Sequence, residues 1–477
     1  MKLATLNTPG PVAYTFSDLQ VDALVRVLPG RRWVFRGHWR GQAVYAKLFA
    51  GPHAARYAQR DATGARYLCD RGIRTPTLLW QGPLIDDATG VEALVFAAVP
   101  HAINAAEQYQ LADPQTRLTM LHALVDMLAT QHAQGLVQTD LHLKNFLIAE
   151  DTVWAIDGDG IRQRTLSVKQ AHKQLAELLS KLSLEDQIQW TEPLLQTYLR
   201  RRAWSSSISS QQVARWAQQF KAQEVHHYVT QKIFRTCSDV IWQQDCRSAQ
   251  ACSVVGGLHV TDIPALEVAM HVGQRLKTGN TCTVVQTQLQ DKPVVIKRYN
   301  IKHLWHALSR AWRPSRAALS WQNAHRLLYY GMHTPQPLLM FEQRYWGMRG
   351  RAYFVAAYSP WPDIKTFFAT ATDPVLRAQA MQSLALLCYQ WSLLGIVHGD
   401  LKSSNLQVTD LGDIVVLDLD SMRQIRHAQR AQRGHARDLR RLLQNWKQDS
   451  SLYNALVASL YQHYKDPAPL LLAGLTV

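Results

Sequence analysis

His398-Gly399-Asp400-Leu401-Lys402-Ser403-Ser404-Asn405, with Leu417-Asp418-Leu419-Asp420 shortly behind it, is the stretch that decides the fold. A second copy about 260 residues earlier reads Asp140-Leu141-His142-Leu143-Lys144-Asn145 and then Ile156-Asp157-Gly158-Asp159. An Asp-x-x-x-x-Asn motif followed by an aspartate behind an apolar run is typical of enzymes that transfer phosphoryl groups. Two copies in the same order predict two related units in one chain.

Each copy has a lysine well upstream on an apolar run, Lys47 in Val-Tyr-Ala-Lys-Leu-Phe and Lys297 in Val-Val-Ile-Lys-Arg-Tyr. A single strand lysine is more often a solvated side chain, but here both precede a predicted helix and a Thr-Pro break in the same order. Phosphoryl transfer depends on positioning and on neutralising phosphate charge. Lys47 and Lys297 are therefore predicted to contact the α- and β-phosphates of a nucleotide.

Other segments repeat at nearly the same offset. Gly72-Ile-Arg-Thr-Pro76, for example, matches Gly331-Met-His-Thr-Pro335. The repeats predict a first domain over residues 1–235 and a second over 255–477. Residues 236–254 lie between the repeats and include a stretch rich in small and polar side chains, so they are predicted to form a connector.

In each unit, β-rich runs come first and amphipathic helical patterns follow. Strands are predicted around both lysines, with a turn over residues 37–41, and helices are predicted over residues 54–71 and 315–330. The predicted fold class is α+β: a tandem repeat of two bilobal protein-kinase-like domains. Each domain is expected to have a β-rich N-terminal lobe and an α-helical C-terminal lobe.

The spacing also assigns the catalytic residues and the metal ligands. Asp140 and Asp400 are the predicted catalytic aspartates, which accept or orient the proton of the substrate hydroxyl. Because oxygen ligands suit a hard cation, the predicted ligands of Mg²⁺ are Asn145, Asp157, Asn405 and Asp418. Two short strands joined by a turn are expected to bring the carboxylates of each unit into one cleft.

The predicted phosphate contacts have a weaker signal. Neither unit has a complete Gly-x-Gly-x-x-Gly loop. Gly279 in the second unit and residues 37–41 in the first are candidates for a short backbone cradle, and a plain hairpin turn is the equal alternative. His142 and Lys402, two residues after each catalytic aspartate, are candidates for contact with the transferring phosphate or for packing within the loop.

Two features that are usual in protein kinases are not evident in the sequence. No Asp-Phe-Gly or Ala-Pro-Glu follows either catalytic stretch, which argues for a small-molecule or glycan acceptor. An acidic helix residue that would pair with the strand lysine is also hard to identify. Asp61 is the nearest candidate in the first unit, and the second unit has Ser320 at that place.

The net charge of +16 over 477 residues suggests an anionic partner. Basic segments within residues 292–341 and 423–447 are typical either of helices on an anionic membrane surface or of solvated helix faces. The second segment carries Arg426, Arg430, Arg433, Arg437, Arg440 and Arg441. No nucleic-acid fold motif accompanies the charge, so no nucleic-acid partner is expected.

The six cysteines form no CxxC pair and no metal-ligand spacing, which is typical of a reducing compartment. The sequence has no recognisable signal peptide and no apolar run long enough to span a membrane. The expected location is therefore the cytoplasm, with attachment to a membrane face as a further expectation.

These motifs resemble the lipopolysaccharide core heptose kinase family of the WaaP and InaA type, and the resemblance covers both units. In the second unit it is carried by Val295-Ile-Lys297, Gly331-Met-His-Thr-Pro335, Val397-His-Gly-Asp-Leu-Lys402 and Val416-Leu-Asp-Leu-Asp420. In the first unit it is carried by Tyr45-Ala-Lys47, Gly72-Ile-Arg-Thr-Pro76, Thr139-Asp-Leu-His-Leu-Lys-Asn145 and Ile156-Asp157. The first unit departs more, since Gln138-Thr139 stands where the second has His398-Gly399.

The resemblance implies a eukaryotic-like kinase fold with ATP and Mg²⁺ as cofactors. It implies phosphorylation of a hydroxyl group on a heptose sugar of the lipopolysaccharide inner core. It also implies a membrane-held glycolipid substrate and action at the cytoplasmic face of the inner membrane of a Gram-negative bacterium. Two alternatives remain: a small-molecule kinase of the aminoglycoside or choline kinase type, and a pseudokinase scaffold or regulator of core assembly.

Overall fold

The chain forms two compact units, unit 1 (Met1–Lys221) and unit 2 (Ala222–Val477). A computed structural model gives the fold of each. It describes residues 9–16, 18–28, 30–83, 90–205, 208–259, 263–278, 282–299, 314–345, 348–447 and 449–475.

Unit 1 begins with six strands that form one antiparallel sheet. They are β1 (Gly10–Phe16), β2 (Leu19–Leu28), β3 (Arg32–Trp39), β4 (Gln42–Phe49), β5 (Leu78–Pro83) and β6 (Glu92–Ala97). Their order in the sheet is β1-β2-β3-β4-β6-β5. Trp33 and Phe35 of β3 are buried and the residues between and around them are more exposed, the alternation expected of a sheet with one face on a core.

The rest of unit 1 is mostly helical. Its helices are α1 (Ala54–Asp70), α2 (Ala105–Leu111), α3 (Pro114–Ala133), α4 (Val168–Leu179), α5 (Leu184–Arg202) and α6 (Ser210–Gln231), which crosses the boundary at residue 221. Five short strands lie among them: β7 (Ile103–Asn104), β8 (Leu136–Gln138), β9 (Phe146–Ala149), β10 (Thr152–Ala155) and β11 (Ile161–Gln163). The hairpin of β9 and β10 separates the two stretches that carry the predicted catalytic and metal-binding residues.

Unit 2 has a seven-stranded antiparallel sheet. Its strands are β12 (Val240–Gln244), β13 (Ser248–Ser253), β14 (Gln274–Thr278), β15 (Cys282–Leu289), β16 (Lys292–Tyr299), β17 (Pro337–Tyr345) and β18 (Met348–Ala357). Their order is β12-β13-β17-β18-β16-β15-β14. Four short strands follow: β19 (Ile396–Val397), β20 (Leu406–Val408), β21 (Ile414–Val416) and β22 (Arg423–Gln424).

The described helices of unit 2 flank and follow this sheet. They are α7 (Ile263–Val272), α8 (Arg316–Tyr329), α9 (Ile364–Thr370), α10 (Pro374–Leu394), α11 (Ala428–Leu443), α12 (Ser450–His463) and α13 (Ala468–Leu472). Each unit is therefore a mixture of sheet and helix, with the large sheet before most of the helices. Helices α1 and α8 confirm the two helices predicted over residues 54–71 and 315–330.

The same helix-start chemistry recurs in both units. Asp113 accepts hydrogen bonds from the backbone N–H groups of residues 115 and 116, and Pro114 is the first residue of α3. Asp373 and Pro374 begin α10 in the same way. An aspartate cap satisfies N–H groups that have no partner within the helix, and proline loses nothing at the first position. The repeat thus extends to the devices that start its long helices.

Two local predictions differ from the structure. Residues 236–254 were predicted to form a connector, but β12 and β13 lie there, and β13 pairs with β17. Their small side chains are buried in the sheet: Ala249, Ala251 and Cys252 are all 0% exposed. Strand β3 also continues to Trp39, which confines the predicted 37–41 turn to Arg40 and Gly41. Among the described residues, none of the helices has the length and apolar character needed to cross a membrane.

Candidate active site

The strand lysine of unit 1 has two carboxylate partners. Lys47 Nζ lies 2.7 Å from Asp61 Oδ2 on α1 and 3.3 Å from Asp157 Oδ1. Burial disfavours the charge on this ammonium, but the carboxylates of Asp61 and Asp157 outweigh burial and raise the pKa of Lys47. Arg32 at the start of β3 adds a second cation, 3.7 Å from Asp157 Oδ1. Asp61 is therefore the acidic helix residue that the sequence left uncertain.

Helix α1 also packs closely on the turn that follows Asp157. The side chain of Asp61 accepts a hydrogen bond of 3.0 Å from the backbone N–H of Gly158. A Cβ atom at Gly64 would lie 1.9 Å from the carbonyl oxygen of Gly158, so a side chain there has no room. Glycine at both positions allows the backbones to touch, and this contact holds Asp157 against the helix that carries Asp61.

The predicted metal ligands of unit 1 lie beside each other. The backbone N–H of Ile156 donates to the carbonyl oxygen of Asn145 over 2.9 Å, which places Asp157 next to the asparagine. Asn145 Nδ2 donates to the carbonyl oxygen of Asp140 over 2.8 Å. Asp157 itself has φ of +71°, a conformation that is uncommon outside glycine and is found at functional sites.

Unit 2 repeats this arrangement around its second aspartate. Leu417 N–H donates to the Asn405 carbonyl oxygen over 2.8 Å, and Asn405 Nδ2 donates to the Asp400 carbonyl oxygen over 2.9 Å. Asp418 has φ of +59°. In both units, one set of backbone and amide hydrogen bonds thus connects the predicted catalytic aspartate, the asparagine and the second aspartate.

The strand lysine of unit 2 has a simpler environment. Lys297 Nζ lies 2.9 Å from Asp418 Oδ1. Burial opposes the charge on Asp418, but the adjacent ammonium outweighs it and lowers the pKa of this carboxyl. Ser320, at the place of Asp61, bonds the hydroxyl of Tyr299 over 2.9 Å. Among the described residues, Lys297 has no second ion pair comparable to the one Lys47 makes with α1.

Helix α8 contacts the turn of unit 2 through side chains. Asn323 Nδ2 donates to the carbonyl oxygens of Leu419 and Met422, each over 2.8 Å. Arg316 pairs with Asp420 over 2.6 Å. Unit 1 has a matching pair between Arg60 of α1 and Asp159, and there Arg60 Nη2 lies 2.8 Å from the carboxylate. The helix-to-turn contact is therefore kept in both units but built from different residues.

A buried carboxylate on α11 holds the backbone that precedes Asp400, the predicted catalytic aspartate of unit 2. Asp438 Oδ2 accepts a hydrogen bond of 2.6 Å from the backbone N–H of His398, and its Oδ1 accepts one of 3.1 Å from Gly399. Asp438 is 4% exposed, and burial raises its pKa despite these amide bonds. His398 Nε2 also lies 2.9 Å from the Leu417 carbonyl oxygen. Asp400 therefore follows a backbone that is fixed from two sides.

The corresponding stretch of unit 1 is held differently. The N–H of Thr139 donates to the carbonyl oxygen of Gly160 over 2.9 Å, and the Thr139 hydroxyl donates to the same oxygen over 3.0 Å. Gln138 is fully buried, and within the described part of the chain neither its side-chain nitrogen nor its oxygen has a hydrogen-bond partner. No carboxylate takes the place of Asp438 among the described contacts of this loop.

The two predicted catalytic aspartates also differ in their own contacts. Asp400 Oδ1 pairs with the guanidinium of Arg441 on α11, and its Oδ2 lies 3.5 Å from Lys402 Nζ. Asp140 is exposed, and the described part of unit 1 gives it no ion pair. His142 caps a short 3-10 helix, where its Nδ1 accepts a hydrogen bond of 3.3 Å from Lys144 N–H.

The chemistry of the donor sets fits a magnesium ion with few protein ligands. In each unit the asparagine amide nitrogen is used in a hydrogen bond to the backbone, so the amide oxygen remains as the ligand atom beside one aspartate. Mg²⁺ is commonly held by one or two carboxylates together with water and substrate phosphates. Over the described ranges, no cluster of three or more His, Cys, Asp or Glu side chains could hold a metal. Gly279, the predicted candidate for a phosphate cradle in unit 2, lies outside the described residues.

Sequence reasoning missed several residues that support the site. Asp438 and Arg32 contact it from elements distant in sequence, and neither belongs to a motif. Asn323 lies in Ser320-Trp-Gln-Asn-Ala324, a segment that carries the family resemblance, but its contact with the turn was not predicted. Arg441 was noticed only as one member of a basic segment. For Asp438 one signal exists in the sequence: it is the only acidic residue between Arg423 and Lys447. A lone carboxylate in so basic a stretch indicates a specific partner.

Comparison with known proteins identifies the class and then the family. Two segments of the chain, residues 32–201 and 269–464, match one family of kinases. The chain belongs to the lipopolysaccharide kinase (Kdo/WaaP) family. The two matched segments together span well over half of the sequence and contain both sets of predicted site residues, in agreement with the resemblance that the motifs indicated. Kinases typically use ATP together with a divalent metal ion.

Solved structures add only a distant likeness. A co-crystal structure of WbdD with the kinase inhibitor LY294002 and a second structure of WbdD are each 18% identical, with a TM-score of 0.30. Each alignment covers 43% of this chain and 51% of the WbdD chain, so the match spans about half of that protein's length. A further structure, of the bifunctional kinase-methyltransferase WbdD, has a TM-score of 0.29. No curated protein is significantly similar to the chain.

Proposed function

We propose that this protein is a tandem of two bilobal kinase-like domains. We propose that it uses ATP and Mg²⁺ to phosphorylate a hydroxyl group of a heptose sugar in the lipopolysaccharide inner core. The domains follow the two compact units, with a boundary near residue 221. We further propose that unit 2 performs the transfer. The observation that carries this assignment is the backbone around Asp400, which Asp438 and Asn405 hold from both sides.

In the proposed reaction, the Asp400 carboxylate orients the acceptor hydroxyl and takes its proton. The acceptor oxygen then forms a bond to the γ-phosphorus of ATP, the bond from that phosphorus to the β,γ-bridging oxygen breaks, and ADP leaves. Lys297 contacts the α- and β-phosphates. Asn405 and Asp418 would hold Mg²⁺, which when bound neutralises charge on the β- and γ-phosphates. The pre-set backbone keeps these groups in position before the substrate arrives.

For unit 1 we propose nucleotide binding, with regulation or docking as its main role. Lys47, paired with Asp61 and Asp157, is arranged for contact with phosphates, and Asn145 with Asp157 would hold Mg²⁺. Asp140, however, follows a loop without a carboxylate anchor and with the orphaned polar side chain of Gln138. This observation favours a pseudokinase role for unit 1, beside catalysis by unit 2.

The proposed substrate is a glycolipid, so we also propose that the protein works at the cytoplasmic face of the inner membrane. A net charge of +16 supports attraction to an anionic surface. The substrate, not nucleic acid, is the proposed anionic partner.

The test is phosphate transfer from ATP, with Mg²⁺, to core oligosaccharide from dephosphorylated lipopolysaccharide. Wild type is compared with Asp400→Asn and Asp140→Asn, which preserve side-chain shape. We expect Asp400→Asn to lower turnover roughly 10²- to 10⁴-fold, as expected for loss of a general base. We expect Asp140→Asn to retain most of the product. Loss of all product in Asp140→Asn alone would reverse the assignment of the units, and absence of transfer by wild type would show that the acceptor class is wrong.

A further inference from the structure

The outer face of α11 carries a row of arginines that leads to the catalytic aspartate of unit 2. Arg430, Arg433, Arg437 and Arg441 recur at every third or fourth residue, so they share one side of the helix. All four are exposed. We name this surface the arginine row. Its last member, Arg441, touches Asp400 Oδ1 while its side chain is still 49% exposed.

The positive charge of the arginine row is not balanced within its helix. The only acidic residue of α11 is Asp438, which is buried and bonds the backbone of His398 and Gly399. Among the described residues, Arg430 and Arg433 have no ion pair, and Arg437 has only the electrostatic attraction of the buried Asp438. Exposed basic residues usually form a merely solvated surface, but here the row ends at the reacting carboxylate. A surface that is both uncompensated and continuous with the site is suited to an anionic ligand.

The contacts of Asp400 indicate what this ligand does. Arg441 occupies Oδ1, and Lys402 Nζ and Asn405 Nδ2 lie 3.5 Å and 3.4 Å from Oδ2. Both carboxylate oxygens are therefore engaged by cations or N–H donors. A hydroxyl that is to pass its proton to Asp400 needs one of these oxygens. Arg441 contacts Asp400 through one nitrogen, and it leaves more readily when another anion binds its guanidinium, because an unpaired carboxylate or phosphate can accept two parallel hydrogen bonds from it.

We propose that the arginine row is the binding site for an acidic saccharide acceptor, and that Arg441 selects an acceptor with a carboxylate near the reacting hydroxyl. This proposal rests on the proposed function of unit 2. When the acceptor binds, Arg441 breaks its contact with Asp400 and forms a contact with the acidic group of the acceptor. The exchange frees Asp400 Oδ1 for the hydroxyl. A neutral saccharide does not displace Arg441 and is a poor acceptor.

Binding is the first readout, measured without ATP on the full chain. The probe is fluorescently labelled core oligosaccharide from dephosphorylated lipopolysaccharide, used before and after chemical reduction of its carboxyl groups. We expect Arg441→Gln to weaken binding of the acidic probe about tenfold, the usual effect of losing one hydrogen bond to a charged group. Binding of the reduced probe should not change. Arg441→Lys should recover only part of the loss, because an ammonium keeps the charge but not the fork of donors.

Arg440→Gln is the matched control. Arg440 is the neighbouring residue with the same charge, but its Nε donates to the carbonyl oxygen of Ala436 within the helix. Equal losses in Arg440→Gln and Arg441→Gln would mean that only net charge matters, and would overturn the role of Arg441. Equal binding of the acidic and reduced probes by wild type would overturn the whole proposal.

The rest of the row is tested with Arg430→Gln/Arg433→Gln/Arg437→Gln, which should weaken acidic-probe binding in a salt-dependent manner. If this variant loses only its binding to phosphatidylglycerol vesicles and keeps the oligosaccharide, the row is a membrane surface and the proposal is wrong.

Kinetics separate this inference from the proposed function. With turnover present, Arg441→Gln should raise the KM for the acidic acceptor while the KM for ATP stays constant. If wild type transfers no phosphate but binds the acidic probe through Arg441, the proposed reaction fails and the binding site stands. If transfer occurs and Arg441→Gln changes neither binding nor KM, the reaction stands and the site is wrong.

Discussion

The strand lysine of unit 1 pairs with two carboxylates, whereas that of unit 2 pairs with one. The loops that carry the predicted catalytic aspartates differ in the opposite sense. In unit 2 the buried Asp438 holds the loop, and in unit 1 Thr139 closes it onto the nearby Gly160. Each unit therefore keeps one support and lacks the other.

This difference teaches that the two supports are separable. The second lysine partner comes from α1 in unit 1, while α8 of unit 2 has Ser320 at that place, and the loop anchor comes from α11. Because different elements provide the lysine partner and the loop anchor, a unit can lose one of these supports and keep the other. The motif residues between them, from the catalytic aspartate to the asparagine and the second aspartate, keep the same hydrogen bonds in both units.

The loop anchor gives the sharpest way to break the comparison. Asp438→Asn keeps the side-chain shape but places an amide donor opposite the N–H groups of His398 or Gly399. We expect kcat for sugar phosphorylation to fall about 10- to 100-fold, the usual effect of removing a partner that orients a reacting group, with little change in the KM for ATP.

The control for this variant is Asp449→Asn, a change of the same chemistry at the exposed cap of α12, where asparagine caps equally well. If Asp438→Asn keeps the kcat of wild type, the anchor does not support the proposal that unit 2 performs the transfer.

The lysine partner is next in expected size. Asp61→Ser gives unit 1 the residue found in unit 2, and removes a fully buried carboxylate that bonds both Lys47 and Gly158. Breaking such a buried pair costs about 3 kcal/mol. Calorimetry of the full chain should show a lower unfolding temperature for unit 1 alone.

Ser320→Ala is the counterpart in unit 2. It removes one hydroxyl bond to Tyr299 and should cost only about 1 kcal/mol. Equal destabilisation by the two changes would contradict the view that only unit 1 depends on this position.

A smaller loss of stability is expected at acidic pH, and it tests a feature that the two units have in common. Each has a buried histidine bonded to a tyrosine hydroxyl over 2.7 Å: His132 with Tyr198, and His435 with Tyr464. Burial lowers the pKa of His132 to about 3 and that of His435 to about 4. At a pH between these values and the unfolded pKa near 6.5, each histidine is protonated in the unfolded chain but neutral in the folded chain. The contribution of each histidine to the free energy of unfolding is therefore complete above pH 6.5 and declines as the pH falls.

At pH 5 this linkage amounts to about 2 kcal/mol for each histidine. His435→Gln should reduce the acid sensitivity of unit 2 and leave that of unit 1, as measured by unfolding temperature at pH 7 and pH 5. An unchanged acid response of unit 2 would mean that other groups govern it.

Local patterns predicted much of the site. The alternation of apolar residues around Lys47 and Lys297 placed them on strands, and the spacing from Asp400 to Asn405 and Asp418 placed three polar groups around one hairpin. Such signals are readable because strand alternation and short hairpins depend on neighbouring residues. Membership of a lipopolysaccharide kinase family was likewise predicted from the motifs and is shown by the matched segments.

The sequence by itself determined the repeat, the order of the site residues and the helices that follow each lysine. Only the tertiary structure decided that two strands lie within residues 240–253 and that Asp61 pairs with Lys47. It also decided that Asp438 holds the backbone just before Asp400 and that Arg441 contacts Asp400 itself. The physical reason is the distance along the chain over which these contacts form. Ala251 pairs with Met340, about 90 residues further along the chain, and the partners of the Asp438 carboxylate lie about 40 residues upstream. Contacts over such distances produce no periodic pattern in the neighbouring sequence.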